Sequence, residues 1–119
     1  MKIQLDNVRG EEIKNDDTYI ITDNSYLEHM TVSRTLLKEG QMTKGHSHDS
    51  QEEVYIFTQG EAFMQIGDEF HHAKHGDTFL IKAGEFHRVF NKSVSVSCAF
   101  TCIFEKYDRS GDAAKYKQL

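Results

Sequence analysis

Residues 40–60, GQMTKGHSHDSQEEVYIFTQG, concentrate side chains able to hold a divalent metal. His46 and His48 lie two apart, and in an extended chain residues two apart point to one face. Both imidazoles therefore project together. Glu53 has odd parity relative to that pair, but Asp49-Ser50-Gln51 is turn chemistry that resets the face. Residues 53–58 then read as a strand, rich in the β-branched and aromatic residues that strands favour. Two imidazoles and a carboxylate converging from adjacent strands form a nest suited to a divalent ion.

Such a nest needs a rigid frame, and the rest of the chain reads as strands. Residues 2–8 and 18–22 are short candidates, separated by the acidic Glu11, Glu12, Asp16 and Asp17. Residues 30–37, 61–66, 69–73, 77–81 and 86–90 follow, and Gly67-Asp68 fits a two-residue hairpin turn. Residues 94–104 form the longest candidate. There Val94, Val96, Cys98, Phe100, Cys102 and Phe104 share one face, expected in the core. Ser93, Ser95, Ser97, Ala99 and Thr101 share the other, expected to border a cavity or a partner. No helical periodicity runs through the first 104 residues, and only the tail after Ser110 is a candidate short helix. Many short strands with glycines at the corners predict an all-β, antiparallel sandwich or barrel. The chain reads as one domain over 1–119, with a barrel core at about 30–104 and a tail at 105–119.

A net charge of −5 without a Lys/Arg cluster argues against nucleic-acid binding. No apolar run approaches the roughly 18 residues of a membrane span, and MKIQLDNVRGEE lacks a signal peptide's hydrophobic region. A cytoplasmic location is expected. Cys98 and Cys102 lie four apart on one candidate strand, about 13 Å along it. That exceeds the roughly 7 Å a disulfide spans, so both are expected as free, buried thiols.

A second stretch completes a pattern. GDTFLIKAGEFHRVFN places Gly76, Lys82, Gly84, His87 and Asn91 at fixed intervals. Gly40-x5-His46-x-His48-x4-Glu53-x6-Gly60, followed after fifteen residues by Gly76-x5-Lys82-x-Gly84-x2-His87-x3-Asn91, resembles the two signature motifs of the cupins. The resemblance covers residues 40–91. Lys82 departs from it, standing where cupins usually carry proline, in a chain with no proline at all. The resemblance implies a double-stranded β-helix, or jelly-roll barrel. It also implies one divalent transition metal (manganese, iron, cobalt, nickel, copper or zinc) held by His46, His48, Glu53 and His87, with positions open for water or substrate. Glu52 is the competing carboxylate; motif spacing back from Gly60 favours Glu53. Gly40, Gly60, Gly76 and Gly84 are read as turn glycines and Asn91 as a residue that satisfies turn backbone. His71, His72 and His75 cluster at a hairpin return, where a polar loop is a simpler reading than a second metal site.

The string Thr43-Lys44-Gly45-His46-Ser47-His48, with Glu53-Val54-Tyr55 and His87-Arg88, resembles the cupin-type phosphoglucose isomerases. This implies an isomerase or epimerase acting on a sugar or sugar phosphate, with Thr43, Lys44 and Arg88 holding the phosphate. Proton transfer would fall to Glu52, Tyr55 or His71. A metal-dependent dioxygenase and a non-catalytic binding module are the alternatives. The partner expected is a small molecule. A homodimer through faces bearing Phe86, Phe90 or Phe100 is the other expectation.

Overall fold

The structure, a computed structural model, describes residues 1–106. Nine strands run in order: β1 (Glu11–Asn15), β2 (Tyr19–Asn24), β3 (Met30–Leu37), β4 (Glu53–Gln59), β5 (Glu61–Ile66), β6 (Glu69–Lys74), β7 (Thr78–Ile81), β8 (His87–Phe90) and β9 (Cys98–Glu105). They form a six-stranded sheet, β1-β2-β3-β9-β4-β7, and a three-stranded sheet, β6-β5-β8. Every pairing is antiparallel. This is the expected all-β jelly-roll architecture. The described residues contain no helix, and none therefore long and apolar enough to cross a membrane. The short helix expected after Ser110 lies outside the described residues.

Alternation along each strand builds the core. Tyr19, Ile21, Leu37, Tyr55, Phe57, Ile81, Phe100 and Phe104 face inward from the large sheet. Ala62, Met64, Ala73 and Val89 meet them from the small one. Across β4 and β9, Tyr55 and Phe57 flank Phe100 with ring centroids 5.4 and 5.3 Å apart. That spacing is typical of attractive aromatic pairs. The β5–β6 hairpin pairs Ile66 with Glu69, leaving Gly67-Asp68 as a two-residue loop. Gly67 alone of the two has positive φ, at 58°, the pattern of a turn that matches strand twist.

Three expectations are corrected. Residues 2–8 are not a strand; the first strand falls on the acidic stretch read as a spacer. Val8 and Arg9 adopt positive φ (47° and 48°), and the Val8 amide donates to the Gln4 carbonyl at 2.7 Å. The chain therefore turns there, burying Val8 completely. The charged Glu11–Asn15 segment is stable as an edge strand because backbone pairing with β2 carries it, and charge at an edge discourages further pairing.

Second, the last strand begins at Cys98, not at 94, and Val94 is 89% exposed. Residues 91–97 instead loop around Asn91, whose buried Nδ2 donates towards the carbonyls of Leu37, Lys38 and Val96 at 2.9–3.2 Å. The Ser93 hydroxyl accepts from the amides of Ser95 and Val96. These local bonds outcompete the alternating pattern. Beyond the loop, both faces of β9 are buried: the Thr101 hydroxyl donates to the Leu5 carbonyl at 3.0 Å, so the N-terminal segment covers it. Third, Phe100 is 2% exposed and offers no surface to a second subunit.

Candidate metal centre

His46 and His48 sit on a ribbon between β3 and β4 rather than on a full strand. The ribbon is pinned to β8: the amides and carbonyls of His46 and His87 exchange hydrogen bonds at 3.1 and 3.0 Å. Farther along, the Gly84 amide donates to the His48 carbonyl. Gly45 precedes the pair with φ +80°, and a Cβ there would strike the Phe86 ring at 2.5 Å. No L side chain fits without displacing Phe86. Glu53 opens β4 and His87 opens β8, so both sheets contribute.

The four side chains converge. One ligand atom from each of His46, His48, Glu53 and His87 lies within 4.8 Å of the others. Glu53 Oε1 stands 2.7 Å from His48 Nε2, 3.5 Å from His46 Nε2 and 3.7 Å from His87 Nε2. Despite this closeness, both carboxylate oxygens and the Nε2 atoms of His46 and His87 are buried without an aligned hydrogen bond. Buried polar atoms without partners cost about 1–3 kcal/mol each. Four such atoms gathered in one cluster fit a cation. His87 Nδ1 lies 2.8 Å from the Glu85 carbonyl, which fixes the proton there and leaves Nε2 as a lone-pair donor.

The electrostatics agree. Burial tends to raise the Glu53 carboxyl, but the three imidazoles beside it overcome that and hold it well below the usual carboxylate range. Burial also lowers the His46 imidazole, against the pull of Glu53. A neutral imidazole beside a carboxylate is the state that binds metal. Three nitrogens and one oxygen suit a first-row divalent ion and leave coordination positions over.

The other residues singled out from the sequence divide. Tyr55 lies near the quartet, its ring 5.5 Å from that of His87. It pairs with Cys102 across β4 and β9. Burial pushes its phenol well above the ordinary range, so it is a proton donor and a poor base. Glu52 is exposed, alternating away between buried Gln51 and Glu53. His71 packs on Phe79, which meets Phe57, and belongs neither to the quartet nor to the lining of the cavity beside it. Arg88 faces opposite to His87: its Nε donates to Gln65 Oε1 at 2.7 Å, and its guanidinium lies over Phe86 and Phe90. Lys44 is exposed beside Thr43. Thr43 itself lines the cavity that opens from the quartet, and its Oγ1 accepts from the Val89 amide.

That cavity also brings in residues the sequence reading does not select. Ser33 and Thr35 project into it from β3, with Tyr19 and Ile21 from β2. The signal is present but inverted. On β3 the inward face is Thr31, Ser33, Thr35 and Leu37, while Val32 and Leu36 point outward. A hydrophobicity reading assigns the faces the other way.

Fold and quartet together define a small all-β protein with a candidate mononuclear metal site inside its barrel. Residues 33–104 match the cupin domain, and the chain belongs to that family. A comparison with curated protein sequences finds no match. Among solved structures, the chain is similar to a protein from Thermus thermophilus, at 25% identity over 80% of this chain and 97% of that one, TM-score 0.70. It is also similar to a predicted oxalate decarboxylase from Thermotoga maritima, at 19% identity over 90% and 100%, TM-score 0.73. A third is a cupin-superfamily sugar phosphate isomerase from Silicibacter pomeroyi, at 19% over 90% and 76%, TM-score 0.74. The last two likenesses establish the fold alone.

Proposed function

We propose that the protein holds one divalent transition metal in the His46, His48, Glu53 and His87 quartet and acts on a small sugar-like hydroxy-carbonyl compound, as an isomerase or epimerase. One observation carries this reading: the quartet opens at His46 onto a cavity lined by the hydroxyl-bearing residues Ser33, Thr35, Thr43 and Tyr55. A divalent metal bound there supplies Lewis-acid polarisation of a chelated carbonyl or hydroxyl. Tyr55, kept protonated by burial, donates a hydrogen bond to a developing oxyanion. Phe100 and Phe104 line its apolar side. The fold of the sugar phosphate isomerase from Silicibacter pomeroyi supports the class by likeness.

Neither Glu52, which is exposed, nor His71 lines the cavity, so neither supplies a base there. That observation favours a second reading, a non-catalytic module that binds the same kind of ligand. Deuterium exchange at a carbon next to the carbonyl, in the metal-loaded protein, separates the two. Exchange supports the isomerase; no exchange with ligand affinity retained supports the module. Bound iron with oxygen uptake and no exchange would favour a dioxygenase instead. We place the protein in the cytoplasm, as a homodimer through the outer face of the three-stranded sheet, where Phe86 and Phe90 flank Arg88. Light scattering of Phe86→Ser against the unmodified chain tests the dimer; an unchanged mass would exclude that face.

A further inference from the structure

A second cleft, of about 400 Å³, shares no residue with the quartet's cavity. It opens where the small sheet loses a strand. β8 pairs with β5 only along Phe63–Ile66, and Asn91 then turns its side-chain amide onto the carbonyls of Leu37, Lys38 and Val96. The loop that follows stands off from the start of β5, and the cleft lies between them. Residues 60–63, His72 from β6, and Lys92, Ser93 and Val96 from the loop line it.

Local bonds fix these walls. The Ser93 amide donates to Asn91 Oδ1 at 3.1 Å, and the Ser93 hydroxyl accepts from the amides of Ser95 and Val96. Gly60 lies so close to the loop that a Cβ there would meet the Ser97 carbonyl oxygen at 2.8 Å. Small-molecule sites are mostly preformed clefts of about 300–1,000 Å³, and a cleft already ordered spares the ligand that cost.

The polar groups in the cleft set its chemistry. Lys92 Nζ stands 4.2 Å from the centroid of the Phe63 ring. The ring attracts the ammonium by its charge and leaves N–H donors for a ligand. On the next residue, the Ser93 oxygen already accepts two amides, so its own proton is there to donate. An ammonium and a hydroxyl on adjacent residues match the two oxygens of a carboxylate. Glu61 also lines the cleft, with His72 Nε2 at 3.4 Å drawing its carboxylate towards β6. A second negative charge on the ligand would meet that carboxylate at a cost. Ala62, Phe63 and Val96 supply apolar surface for the rest of the molecule.

We propose that this cleft is a second binding site, for a small organic monocarboxylate with an apolar body. Lys92 and Ser93 bond the carboxylate, and the body lies against Phe63 and Val96.

Benzoate and its uncharged counterpart benzamide make the test, followed by amide resonances of the isotope-labelled, zinc-loaded protein. Benzoate should shift residues 60–63 and 92–97 saturably, with a Kd no weaker than about 1 mM. Benzamide should bind at least about tenfold more weakly, and Lys92→Gln should weaken benzoate by a similar factor while Lys92→Arg retains it. Phenyl phosphate, a dianion, should bind more weakly than benzoate. Equal binding of benzamide, undiminished binding by Lys92→Gln, tighter binding of phenyl phosphate, or shifts confined to the quartet's surroundings would each overturn the proposal. So would cleft resonances that move with protein concentration and not with benzoate, which would give the cleft to a second copy of the chain.

Discussion

Two groups of histidines occupy this small barrel and share nothing but residue type. His46, His48 and His87 come from two separate stretches of chain, are buried or nearly so, and meet at one carboxylate. His71 and His72 are adjacent on β6, and strand geometry sends them to opposite sides. His71 pairs with Glu69 at 3.3 Å and His72 with Glu61 at 3.4 Å, each at a partly exposed surface. The lesson concerns density against convergence. Neighbouring imidazoles on a strand diverge, whereas imidazoles two apart, or on paired strands, meet. The exposed pair has water to satisfy it; the buried set has only its own members and whatever they bind.

The largest expected effect breaks the comparison if it fails. His87→Ala should lower metal affinity at least about 100-fold, since even residues that merely orient a ligand are worth about 10–100-fold. His72→Ala should leave metal content unchanged. Elemental analysis of both variants decides, and stoichiometric metal in His87→Ala would refute the ligand set.

Next in size is the contrast between neighbours on either side of the β4 boundary. Glu53→Gln should weaken metal binding by about 10–100-fold, while Glu52→Gln, on the outward face, should bind as the unmodified chain does. Competition with a chromophoric chelator reads both. An equal loss in the two variants would mean that strand parity does not govern the site.

A pH series on metal-free protein sharpens the contrast by about 1–3 kcal/mol. His46 is lowered by burial, so below its ordinary value of about 6.5 the unfolded chain binds more protons there than the folded one. Glu53 is lowered by its imidazole neighbours against the opposing effect of burial, with the same consequence below its ordinary value of about 4.3. Stability should therefore fall as pH drops through these two windows, seen as a declining denaturant midpoint. Glu53→Gln should remove the lower window. A midpoint flat from about pH 7 to about pH 4 would contradict the assignment of the buried set.

Smallest is the effect on the exposed pair. His71→Ala and His72→Ala should each change unfolding free energy by no more than about 0.5 kcal/mol, the usual range for surface substitutions. A larger loss would show that one of them supports the core.

Much of the fold is legible in the sequence because alternation is a local signal. β3 reads with its observed ends, and the Gly67-Asp68 hairpin with its observed register. Alternation misleads where local side-chain bonds or remote backbone pairing override it. Asn91 and the serines hold residues 91–97 out of the sheet. Val8 and Arg9 turn the N-terminus, and a charged segment becomes β1 only because β2 offers it a ladder. The glycines behave as turn residues: Gly40, Gly60, Gly76 and Gly84 all have positive φ, between 72° and 93°.

Sequence alone put His46 and His48 on one face, and the resemblance of the two motifs to those of cupins added Glu53 and His87 to the set that the structure brings together. The resemblance also put Arg88 among residues that hold a phosphate, and the structure instead turns it away from His87, onto Gln65. Only the tertiary structure decided what surrounds the quartet. Ser33 and Thr35 line the cavity beside it from β3, which is placed there by its pairing with β9. No local pattern ties a hydroxyl at position 33 to a histidine at 46. They line one cavity because the sheets close over one interior, and the cavity's size and its hydroxyl lining are properties of that closure.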